Sequence, residues 1–224
     1  MTATTRAPVT ARPAAPPSVS QVLHAGPTLE VALLAAALVE ERHPRLRPAL
    51  EDERHPWRRV LDAAALLRAA SCDPVRAMAL AARERALDGG RHVLAEGHDP
   101  DLAALRHALR VHTVLLTAAA AGEAPTRAAA ERYVREQRCT AVLLGAEPDD
   151  LSATSDEVAA DVAAVRAEVD LDAPARSLTG YDDESLPGSW AQACRLAVSV
   201  LPSWARRGPA PVGGADLRAQ LRGL

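Results

Sequence analysis

The chain has 224 residues, 48% hydrophobic and 25% charged, with a formal net charge of −3 at pH 7. Lysine, isoleucine, asparagine and phenylalanine are absent, 50 positions are alanine, and all 26 basic residues are arginine. These figures exclude a lysine Schiff base and a phosphate-loop lysine; three tryptophans and two tyrosines make no stacking platform for bases or sugars.

The four missing types share codons with A or T in the first two positions, so a GC-rich genome accounts for the bias. The length fits one domain with a substantial core. The small negative charge gives no field that draws nucleic acid. Cys72, Cys139 and Cys194 form no metal-ligand spacing and read as buried, reduced thiols in a cytoplasmic protein. No apolar run exceeds the nine residues Val31–Val39, whereas a membrane span needs about 20.

Along the chain, residues 1–20 are Pro/Ala-rich and read as a disordered tail. Residues 21–207 read as the helical domain. Its first helix, Leu29 to Arg42, is apolar almost all round and should lie at the centre. Pro56 opens a second, with Trp57, Val60, Leu61, Ala64 and Leu67 on one stripe. Asp73-Pro74 is an N-cap with proline at the first helical position; that helix should stop at Gly89-Gly90.

Asp99-Pro100 repeats the signal for a fourth helix, reaching about Ala121. A fifth runs from Thr126 to about Leu144 with Tyr133, Val134, Gln137 and Ala141 inside. Thr154-x-x-Glu157 is a capping box for a sixth with Val158, Val162, Val165 and Val169 on one stripe. The stretch 170–186 reads as a loop. Trp190, Cys194, Ala197 and Leu201 mark a seventh helix, halted by Pro202, and the two tryptophans Trp190 and Trp204 read as core of the C-terminal part. Residues 208–224 form a linker and a short terminal helix. No segment alternates with period two, so the fold class is all-α, a single bundle of six or seven helices.

The seven histidines carry the functional reading. Glu40 and His43 are three apart, as are Asp52 and His55; His92 and Glu96 are four apart, and His98 adjoins Asp99. Such pairs share a helix face, and inward-facing Glu and Glu-x-x-His sets bind two iron or manganese ions in helical bundles. On the fourth helix, Arg106, Arg110, Thr113 and Thr117 share a narrow polar stripe. His107 and His112 point into apolar surroundings on faces roughly 140° apart, at 100° per residue. One helix therefore cannot aim both at one ion.

Glu30, isolated among leucine and valine, needs a partner or a metal to be buried. The expected centre combines Glu30, Glu40, His107 and His112, with Glu96 and His98 in reserve and iron, manganese or zinc as the metal. His107 and His112 are the candidate acid/base residues. The expected function is a cytoplasmic small-molecule enzyme performing oxidation or hydrolysis. The alternative is a non-catalytic helical module that binds a protein partner or forms a homodimer.

Two family-like patterns are weaker. His98-Asp99 matches a phosphohydrolase His-Asp pair, but Asp99 has a better role as a helix cap. Asp149-Asp150, Asp156 and Asp161 match magnesium-binding aspartates of terpene synthases only superficially, because the aromatic lining that carbocations need is missing. Arg58-Arg59 and Arg206-Arg207 read as solvated surface.

Overall fold

A computed structural model describes residues 16–47, 56–91, 99–173, 190–206, 212 and 214–223. Among them are nine α-helices and no strand, so the all-α architecture stands. They are α1 (Val19–His24), α2 (Thr28–Glu40), α3 (Pro56–Cys72), α4 (Pro74–Arg91), α5 (Pro100–Ala120), α6 (Arg127–Leu143), α7 (Ser155–Val165), α8 (Trp190–Val200) and α9 (Gly214–Arg222). Short 3-10 turns lie at Pro148–Asp150 and Ser203–Ala205. Residues 1–15 of the expected tail over 1–20 and most of the expected loop over 170–186 lie outside the described residues.

α2 is the axis of the fold. It is apolar almost all round, and Leu29, Val31, Leu33, Leu34, Ala35, Leu38 and Val39 are all buried. Each buried leucine contributes roughly 1.5–3 kcal/mol. α5, α8 and α3 pack around it, α4 lies on α3, and α7 lies on α5. Trp190 is buried and Trp204 packs against the same core, as expected of a C-terminal core pair.

Three local expectations change. α1 occupies the end of the expected tail: Ser18 and Gln21 form a reciprocal capping box, and the Ser20 hydroxyl donates to Glu136 at 2.6 Å while accepting from Gln137 at 2.8 Å. α4 runs through Gly89 and Gly90 to Arg91, because a helical glycine costs only about 1 kcal/mol and ends a helix only where the chain turns left-handed. Gly145, with φ +99°, makes that turn and ends α6 as expected. Cys194 is buried, but Cys72 and Cys139 are exposed.

Candidate functional site

The site is built on α5. Its first turn is fixed by Asp99, whose carboxylate accepts from the backbone N–H of Asp101 at 3.0 Å and Leu102 at 3.3 Å, with Pro100 behind it. The expected capping role of Asp99 is therefore the one it performs. Beyond that turn the helix carries two buried polar faces.

One face holds the stripe Arg106, Arg110, Thr113 and Thr117. It points inward, toward Glu40 at the end of α2. The Glu40 side chain is only 3% exposed, and three guanidinium groups approach it: Arg106 at 3.3 Å, Arg59 of α3 at 3.4 Å and Arg110 at 3.9 Å. Arg110 also bonds Glu84 of α4 at 2.9 Å. This knot joins α2, α3, α4 and α5. Arg59 is thus part of the interior rather than solvated surface. Thr113 and Thr117 return their hydroxyls to the carbonyls of Leu109 and Thr113. Glu30 meets a similar fate: Arg68 grips both its oxygens, at 2.7 and 2.9 Å. Glu30 and Glu40, two of the three carboxylates expected to ligate a metal, are each held by arginine, which offsets their charge.

The other face holds His107. Its residue is 8% exposed, and its ring makes no hydrogen bond among the described residues. Burial, with smaller contributions from Arg110 and Arg138, lowers its pKa to about 4, so the imidazole is neutral at pH 7. His24 is the instructive contrast. Burial also lowers its pKa to about 4, but both ring nitrogens are engaged: Nδ1 with the Leu67 carbonyl at 3.1 Å and Nε2 with the Tyr133 hydroxyl at 3.0 Å.

His107 lines a pocket of about 250 Å³ between α5 and α7. Ala104, Leu105 and Ala108 form its α5 wall; Asp161, Ala164 and Val165 of α7, with Glu168 just beyond, form the opposite wall; Asp150, Leu151 and Ser152 complete it. Ser152 donates its hydroxyl to Asp161. Glu168 Oε2 lies 3.3 Å from His43 Nε2. His43 is buried in the corner after α2, where its Nδ1 accepts from the Arg45 backbone N–H at 3.3 Å, so the neutral ring carries its proton on Nε2, facing Glu168. Burial lowers the His43 pKa, against the raising effect of Glu168.

The remaining expected ligands are placed as follows. His112 is partly buried and does not line the pocket; burial lowers its pKa. Glu96 and His98 lie outside the described residues, as do Asp52, His55 and His92. Among the described residues, no three His, Cys, Asp or Glu side chains gather as a metal-binding group. Glu40 and His43, the expected Glu-x-x-His pair, diverge: one turns to the arginines, the other to Glu168. Glu168, Asp161 and Asp150 were not among the expected site residues. Their signal is the spacing of Asp161, Ala164, Val165 and Glu168, which places two carboxylates and two apolar residues on one helical face.

Among the described residues, the neutral His107 imidazole is a nitrogen donor without a hydrogen bond at the edge of a pocket. The chain is a member of the family described as ER-bound oxygenase mpaB/B'/rubber oxygenase, catalytic domain, whose model matches residues 20–222. No curated protein and no solved structure matches it. No described helix is long and apolar enough to cross a membrane.

Oxygenases of this family typically depend on iron, and the residues present can be compared with that group. His107 fits as one donor: neutral, buried and with no competing hydrogen bond. A bare ion bound by three or four described side chains does not fit, for want of the other donors.

Proposed function

We propose that this chain is an iron-dependent oxygenase acting on a small molecule, with His107 as the protein ligand to iron. The observation that carries this reading is the buried, unpartnered His107 imidazole in a pocket of a chain that belongs to an oxygenase family. Family membership favours oxidation over hydrolysis. A single imidazole favours iron that brings its equatorial ligands with it, as haem does, over an ion caged by side chains. The bound group would supply activation of dioxygen. The chain supplies the rest: α5 fixes the imidazole, burial keeps it neutral, and Ala104, Leu105 and Ala108 give the pocket an apolar wall beside it.

At about 250 Å³, the pocket is smaller than the roughly 300–1,000 Å³ usual for larger ligands. Haem uptake therefore requires α5 and α7 to separate. The test is reconstitution of purified protein with ferrous iron and, separately, with haem, followed by metal analysis and absorption spectroscopy. One form should reach about one equivalent per chain in the wild type and in His112→Ala, and collapse in His107→Ala. Iron below a tenth of an equivalent in both arms, or equal loading of His107→Ala, would overturn the reading.

A further inference from the structure

The pocket wall opposite His107 has a charge of one sign. Asp150, Asp161 and Glu168 line it, and among the described residues no arginine does. All three are solvent-accessible at the mouth, with Glu168 54% exposed. The interior beside them is apolar, formed in part by Leu105 and Val165, and ends at the buried His107 ring. Elsewhere, Glu30 is matched by Arg68, Glu40 by three guanidinium groups and Glu84 by Arg110, while the half-buried Glu131 accepts from the Ser155 hydroxyl. Among the described residues, the side-chain partners at this mouth are a neutral histidine for Glu168 and a serine for Asp161. The carboxylates do not combine with His107 as a metal-binding group; their charge is spread around an opening.

We infer that this pocket admits a small organic monocation, an ammonium with a short apolar chain, whose charged end meets Asp150, Asp161 and Glu168 and whose apolar end points toward His107. The carboxylates attract the cation and repel carboxylate-bearing compounds, while the apolar wall takes the chain. Glu168 is a positioning residue for the cation, with its Oε2 3.3 Å from His43 Nε2. As a statement about the substrate of the oxygenase, the inference rests on the iron reading above; as a statement about binding, it does not.

The test is calorimetry on the full chain, without and with its reconstituted iron, using n-hexylammonium, n-hexanol and n-hexanoate, together with the ring resonances of His107 in the iron-free protein. Hexylammonium should bind at least tenfold more tightly than hexanol, shift the His107 signals, and weaken as sodium chloride is raised from about 0.01 to 0.1 M, where the screening length falls from about 30 to 10 Å. Hexanoate should not bind. Asp150→Asn, whose carboxylate makes no hydrogen bond among the described residues, and Glu168→Gln, which keeps an oxygen toward His43, should each weaken hexylammonium several-fold, with no change in melting temperature. Equal affinity for hexanol and hexylammonium, wild-type affinity in both variants, or unmoved His107 signals would overturn the inference. Cation binding without iron uptake upholds this site and removes the iron reading; iron uptake without cation binding removes this inference alone.

Discussion

α5 buries two polar regions and treats them in opposite ways. On one face Arg106 and Arg110 close on Glu40, 3% exposed, with Arg59 and Glu84 completing a knot of charges. On another, His107 is almost as deeply buried and has no hydrogen-bond partner among the described residues. A buried charge whose neighbours neutralise it holds helices together. A buried imidazole left without a hydrogen bond gains no structural return for its burial, and this one lines a pocket that a ligand can enter. His24, equally buried but bonded at both nitrogens, belongs with the knot and not with His107.

The contrast can be broken most sharply at the knot. Glu40→Ala leaves several arginines facing one another in the interior and should cost about 3–5 kcal/mol, read from chemical denaturation; a loss below about 1 kcal/mol would show the knot to be passive.

Acid gives the next largest effect. His24 titrates at about 4 in the folded chain, against 6.5 as its ordinary value. Between those values the unfolded chain binds more protons, so stability present above pH 6.5 is lost as pH falls toward 4. The slope is about 1.4 kcal/mol per pH unit for one proton, and the loss roughly 3 kcal/mol in all. Denaturation curves of iron-free protein and of His24→Asn should differ by that slope; parallel profiles would mean that His24 is accessible to protons when folded.

Tyr133→Phe removes the hydroxyl bonded to His24 Nε2 and should cost about 1–3 kcal/mol, with the acid profile retained. The smallest stability change belongs to His107→Leu. No hydrogen bond is lost there and the space is filled, so stability at pH 7 should move by less than about 1.5 kcal/mol while iron uptake disappears. A severe loss of stability would place His107 with the knot after all.

Much of the fold could be read directly from the sequence because proline, glycine and capping residues act locally. Asp99-Pro100 opens α5, Thr154-x-x-Glu157 opens α7, and Gly145 closes α6. The all-apolar run in α2 marked the axis for the same reason: no face of it could remain in water. α1 escaped attention because the prolines before it dominated its surroundings, although Ser18-x-x-Gln21 was there to be seen.

The site was legible only in part. Placing His107 needed α5 alone, whereas the partners of Glu30 and Glu40 lie 38 and 19 to 70 residues away and depend on how helices cross. A charged stripe on α5 beside an isolated glutamate on an apolar helix is in fact the pattern of an internal ion pair. The expectation of a carboxylate–histidine metal cage gave those glutamates to a metal when the abundant arginines were the nearer claimants. Glu168 was invisible for a different reason, and Asp150 stood out only as part of an aspartate cluster: both matter only because α7 packs on α5.

The claim that His107 holds the iron is tested most directly by chemical rescue. His107→Gly, loaded with the form of iron that the wild type takes up, should bind little of it, and added imidazole should restore both the stoichiometry and the absorption spectrum of the wild type. Full loading of His107→Gly without imidazole, with an unchanged spectrum, would show that the iron is held elsewhere and contradict the account.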